Sequence, residues 1–183
     1  MNKKMKVLLI GGNIWYFGEG MLGPLFAVFA DRIGGSVLDI TWAWATYLII
    51  SGVLVIMFGA IGDKVSKEKM MVGGYALNAL FTFCYLLVQT PFHLFLVQAG
   101  LGLAAAMAIP TWSALYDINH KDDKTESFTW GLASGQAQII TGIAIIFGGM
   151  IVSNFSFDTL FITMGTIQII ATIYQARILK LVK

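Results

Sequence analysis

Six windows of about 20 apolar residues, separated by short clusters of charge, constrain this chain more than any other feature. A bilayer core about 30 Å thick takes a helix of that length to cross. The windows fall at residues 7–30, 40–62, 70–90, 93–116, 128–152 and 157–177, so about three quarters of the 183 residues lie in apolar spans. The runs are too long and too uniformly apolar for barrel strands, and an open sheet would leave backbone N–H and C=O groups unpaired in hydrocarbon. The expected fold class is therefore all-α, a polytopic bundle of six transmembrane helices in a single domain, residues 1–183. The first span is longer than a signal-peptide core, contains Glu19 and Pro24 and is followed by five more spans, so it does not read as a cleaved leader.

Composition agrees: 57% of residues are apolar and 12% are charged, where a soluble domain is about a quarter charged. A net charge of +2 gives no footprint for nucleic acid. The lone Cys84 has no internal partner for a disulfide. The distribution of charge says more than its sum. Lys3, Lys4 and Lys6 precede the first span, Lys64, Lys67 and Lys69 follow the second, Lys121 and Lys124 follow the fourth, and Arg177, Lys180 and Lys183 close the chain. Of the 12 basic residues only Arg32 falls on the opposite side, which places both termini in the cytoplasm.

Enzymatic chemistry has little to work with. Histidine is limited to His93 and His120, on opposite faces in this topology, so neither a dyad nor a metal cluster assembles within one protomer. Ser134-Gly135 lacks the spacing of an intramembrane serine protease. Asp122-Asp123, beside Lys121 and Lys124, reads as a hydrophilic turn, and Asn154-Phe155-Ser156 fits a glycosylation sequon. No enzyme activity, metal or cofactor is expected.

Between the second and third spans the chain reads Gly59-Ala-Ile-Gly-Asp63-Lys64-Val-Ser66-Lys67-Glu-Lys69. This resembles the signature loop of the major facilitator superfamily: Gly, three residues, Asp, a basic residue, one residue, Gly or Ser, then more basic positions. Gly20 to Gly35, with Gly23-Pro24 inside and Arg32-Ile-Gly-Gly35 beyond, looks like that superfamily's first span and outer loop. Gln98-Ala-Gly100-Leu-Gly102 followed by Pro110-Thr-Trp-Ser-Ala-Leu-Tyr-Asp117 looks like its fourth span. The resemblance covers essentially the whole chain and implies small-solute transport by alternating access, with Gly59, Asp63, Lys64, Ser66 and Lys67 as a cytoplasmic gating motif. There are departures. Leu94 to Gln98 holds no arginine where family members often carry one, and the fifth span has Gly142 and Gly148-Gly149 without a Gly-Pro pair. A drug/proton exchanger of the usual kind is not supported by that pattern.

The resembled proteins have two six-span halves, and this chain is similar to the N-terminal one. Two accounts compete: a piece of a longer transporter, or a half-size chain that pairs with itself. The second is preferred, because the chain opens on a basic stretch and stops after Lys183 without a central linker. The two halves of the superfamily are related by an axis along the membrane normal, which is the symmetry of a homodimer. The expected partners are thus the lipid bilayer, a second copy and a small-molecule substrate, in the plasma (inner) membrane.

Residues three or four apart share a helix face, and polar residues at that spacing mark a side turned from lipid. Such stripes give the candidate pathway: Trp15, Tyr16 and Glu19 in the first span; Trp44, Tyr47 and Ser51 in the second; Gln98 and Trp112 in the fourth; Ser134, Gln138 and Thr141, with Trp130, in the fifth. The third span carries a stripe too, Asn78, Thr82, Tyr85 and Gln89, so periodicity alone does not choose the pore helices. For every stripe, hydrogen bonding between helices is the competing account.

Glu19 is the sharpest signal. It lies about 13 residues past Lys6, roughly 20 Å along a helix and near the midplane. No lysine or arginine lies within an expected span to neutralise it, Arg177 standing at the very end of the sixth. An ionised carboxylate there costs about 3 kcal/mol on insertion scales, so burial favours the protonated form. A carboxyl that loads and releases a proton, or one hydrogen-bonded for good to Gln or Asn across a helix interface, both fit. The functional alternatives to a transporter are a non-transporting scaffold or accessory subunit, and a channel.

Overall fold

A computed structural model describes residues 2–61, 65–119 and 126–181. Seven helices follow one another: α1 Lys3–Gly20, α2 Leu25–Arg32, α3 Val37–Ile61, α4 Lys67–Cys84, α5 Pro91–Asn119, α6 Glu126–Asn154 and α7 Phe157–Gln175. Short 3-10 segments, Tyr85–Leu87 and Ala176–Leu181, continue α4 and α7. Among the described residues there is no strand. Three starts are fixed by side-chain caps that satisfy orphan backbone N–H groups. Asn2 accepts from Met5 N (2.8 Å), Ser66 from Lys69 N (3.4 Å) and Ser156 from Thr159 N (3.2 Å).

Five of the helices, α3 to α7 with the 3-10 extensions of α4 and α7, are long and apolar enough to cross a bilayer. The expected first span, 7–30, is not one helix. It breaks at residues 21–24, where Gly23 takes φ +21° and Pro24 lacks an N–H, and the ladder resumes when Phe26 N donates to Leu22 O (3.1 Å). The third expected span, α4, gives way to a 3-10 turn at Tyr85, before the expected end at Thr90. The fourth, α5, continues to Asn119, through Pro110.

The bundle has a simple order of neighbours. α5 packs along α3 on one side and α4 on the other, α4 also lies on α7, and α1 lies between α6 and α7. α3 and α6 are therefore the outer members. Their apolar windows are 6% and 11% buried, against 56% for α5.

Two apolar clusters mark the two ends. One gathers Phe26, Phe29, Tyr85, Phe157 and Phe161 and includes a stacked Tyr85–Phe161 pair at 4.8 Å. The other gathers Leu8, Trp15, Met71, Tyr75, Tyr116 and Ile178. Asn2 Nδ2 donates to Asn119 O (3.0 Å), and Tyr116 OH donates to Thr129 O (2.9 Å). The start of α1, the end of α5 and the start of α6 thus share the second end, with Lys3, Lys4 and Lys6. Arg32 belongs to the first, its guanidinium 5.8 Å from the Phe157 ring.

Candidate functional site

Glu19 occupies the last turn of α1, just before the break. Its Oε1 accepts a hydrogen bond from Asn78 Nδ2 on α4 (2.7 Å) and a long one from Gln168 Nε2 on α7 (3.5 Å). Gln168 Nε2 also donates to Trp15 O (3.1 Å), which fixes its amide. Two neutral amides therefore converge on one carboxyl oxygen, and Gln168 and Asn78 are themselves buried.

The pathway candidates separate into two cavities, stacked along α1. The one nearer the lysine-bearing end has a volume of about 140 Å³ and is lined by Trp15 and Tyr16 of α1, Tyr75 of α4, Trp112 of α5, and Trp130 and Ser134 of α6. The other, one turn further along, has a volume of about 120 Å³ and is lined by Glu19, by Trp44 and Tyr47 of α3, by Thr82 and Tyr85, and by Gln98 of α5. Gln98 lines this cavity, is 2% exposed and forms no hydrogen bond with a described residue. An amide so placed is available to water or a solute in the cavity.

Three candidates lie elsewhere. Ser51 and Thr141 stand where the inner helices cross the outer ones: a Cβ on Gly102 of α5 would come 3.2 Å from Ser51 N, and one on Gly20 of α1 would come 3.1 Å from Thr141 Cα. Neither lines either of these two cavities; at both crossings the glycine draws the backbones close together. Gln138 is exposed, whereas Gln136, two positions earlier and on the opposite side of the turn, accepts from Asn13 Nδ2 (3.1 Å). In the loop motif, Gly59 ends an exposed stretch of α3, Ser66 caps α4 and Lys67 opens it. Asp63 and Lys64 lie outside the described residues.

Two buried residues of α7 were not singled out by the sequence. Gln168 reaches Glu19, and Gln175 donates to Met71 Sδ (3.5 Å), close beneath Gly11. Their signal was a spacing of seven, two turns of one face, in an otherwise apolar span. Asn78, part of the third stripe, was visible but had no partner assigned.

A bundle of apolar helices of bilayer length around a carboxyl, amides and aromatic rings defines a polytopic membrane protein. The sequence profile of the Major Facilitator Superfamily matches residues 8–182, and the chain belongs to that superfamily, a family of transporters and not of enzymes. It is similar to the multidrug resistance protein MdtG of Enterobacter lignolyticus (strain SCF1), 21% identical over 166 residues, covering 88% of this chain and 39% of the relative. MdtG of Klebsiella pneumoniae (strain 342) is 21% identical over 178 residues, covering 94% and 43%. MdtG of Escherichia coli O17:K52:H18 is 20% identical over 181 residues, covering 94% and 44%. The chain thus spans less than half the length of these relatives.

Proposed function

We propose that this chain is one half of a small-solute transporter that works by alternating access, two copies pairing to rebuild a twelve-span body in the plasma (inner) membrane. The observation that carries this reading is Glu19, held by Asn78 and Gln168 at the edge of a cavity that Gln98 also lines. A carboxyl held by two neutral amides, at a broken helix beside a cavity, suits a group that takes up a proton or touches a solute and then releases it. Residues 3–32 make a sixth crossing in two pieces, and both termini face the cytoplasm with the lysines. The Gly59–Lys67 loop, with Asp63 and Lys64, closes the cytoplasmic side.

Pairing is supported by the outer helices. Gly52 and Gly59 of α3, and Gly135, Gly142 and Gly149 of α6, recur every seven residues and have open space where a Cβ would lie. Small residues at that spacing let a second helix approach closely. The relatives' name, multidrug resistance protein, fits an uncharged, amphipathic or cationic solute. Purified protein in proteoliposomes is expected to take up solute, and Glu19→Gln is expected to abolish uptake while leaving the dimer intact. A monomeric, flux-inactive protein would instead identify a scaffold, and conductance far above transporter turnover a channel.

A further inference from the structure

The cavity that does not contain Glu19 has walls of an unusual kind. Trp15 meets Tyr75 edge-on at 4.2 Å between ring centres, Trp112 stacks on Tyr116 at 4.9 Å with planes 10° apart, and Tyr116 meets Trp130 edge-on at 5.1 Å. Backbone anchors lock the set: Trp112 Nε1 donates to Leu8 O (3.0 Å) and Tyr116 OH to Thr129 O (2.9 Å). Gly12 makes room for the indole, since a Cβ there would come 3.3 Å from Trp112 Nε1. The rings are therefore held before any ligand arrives, which lowers the ordering cost of binding.

We propose that this cavity is a subsite for a neutral, single-ring aromatic group bearing one hydroxyl or amide, gripped by Trp15, Tyr75, Trp112 and Trp130 and hydrogen-bonded by Tyr75, Ser113 or Ser134. The proposal rests on the reading that the chain carries a small solute, and it names that solute's class. Size is the first argument. The volume is about 140 Å³, and an apolar cavity of about 150 Å³ engineered in another protein takes up benzene. Ring chemistry is the second: aromatic faces and edges set around a void favour an inserted ring over a saturated one, by offset and edge-to-face contact. Polarity is the third. Tyr75, Ser113 and Ser134 line the void, and their hydroxyls form no hydrogen bond with a described residue. No charged side chain lines it, so an ion entering would lose hydration without a countercharge. Tyr16 and Ser134, both exposed, flank its open side.

The test uses the full chain in lipid nanodiscs with 4-fluorobenzyl alcohol as probe, followed by 19F line broadening against empty nanodiscs. Saturable broadening is expected, displaced by benzyl alcohol at about tenfold lower concentration than by cyclohexylmethanol. Ala133→Leu, which fills the void from α6, should remove the saturable component. Non-saturable broadening equal to that of empty discs, equal displacement by cyclohexylmethanol, or stronger displacement by benzyltrimethylammonium each overturns the proposal. The last two point respectively to a plain apolar void and a cation cage. The wild-type comparison decides even where Ala133→Leu fails to fold. Saturable binding without proteoliposome uptake would defeat the transport reading and leave the subsite; uptake without this binding would do the reverse.

Discussion

Asn78 on α4 donates a 2.7 Å hydrogen bond to the carboxyl of Glu19, 59 positions earlier, at the point where α1 breaks. An amide and a carboxyl buried together in an apolar bundle are coupled, and removing one strands the other. Asn78→Ala is expected to destabilise by about 1–3 kcal/mol. In a cycle with Glu19→Ala, which removes the acceptor, thermal melting in detergent should show an interaction of at least about 0.5 kcal/mol. Additive effects would show that the pair does not act as one.

Gln168 and Gln175 look alike in sequence and should behave in opposite ways. Gln168 donates to Trp15 O and, together with Asn78, to Glu19 Oε1, so Gln168→Met removes two hydrogen bonds between α7 and α1 and should cost about 1–3 kcal/mol. Both Oε1 atoms are buried without a partner among the described residues, but the Gln175 amide N–H meets only a methionine sulfur, where that of Gln168 meets two oxygens. Gln175→Met, of similar shape, should be neutral or stabilising. Melting temperatures of the two variants, moving in different directions from wild type, are the check.

Glycines of α6 divide by what a methyl would meet. At Gly148 it would fall on the Met21 carbonyl oxygen, whereas at Gly142 it has open space. Gly148→Ala should therefore lower stability by more than 1 kcal/mol, an overpacking cost. Gly142→Ala should raise the stability of the single bundle by about 0.5–1 kcal/mol through the helix backbone alone. Equal effects would contradict the placement of α1 against α6.

The bulkier Gly142→Ile speaks to assembly. With Gly52→Ile on α3, it should block close approach of a second copy while leaving the bundle's interior untouched, since neither glycine has a neighbour within 4 Å. Mass photometry in nanodiscs should show wild-type dimers and a shift to monomer in the double variant. A wild-type protein that is monomeric already would remove the pairing from the proposed function.

How far the sequence could be read depended on whether a feature was local. α3 to α7 follow from unbroken apolar length, and their helical form from the demand for internal backbone hydrogen bonding. The Gly23-Pro24 pair was visible as a place of bending, yet whether it bends or breaks α1 depends on the conformation Gly23 adopts, and that is set by packing against α6. The polar stripes located Trp15, Glu19, Trp44, Tyr47, Gln98, Trp112 and Ser134, which do line cavities. They could not exclude Ser51 and Thr141, since a polar residue at a helix crossing and one at a cavity have the same spacing.

The sequence alone determined that this chain is a bundle of bilayer-length helices with one carboxyl deep inside, because apolar length and the cost of bare backbone in hydrocarbon are properties of each segment by itself. Only the tertiary structure decided which amides meet Glu19 and that the interior divides into two cavities. Those contacts join residues 59 and 149 positions apart, and they follow from helix approach, which small residues set pair by pair.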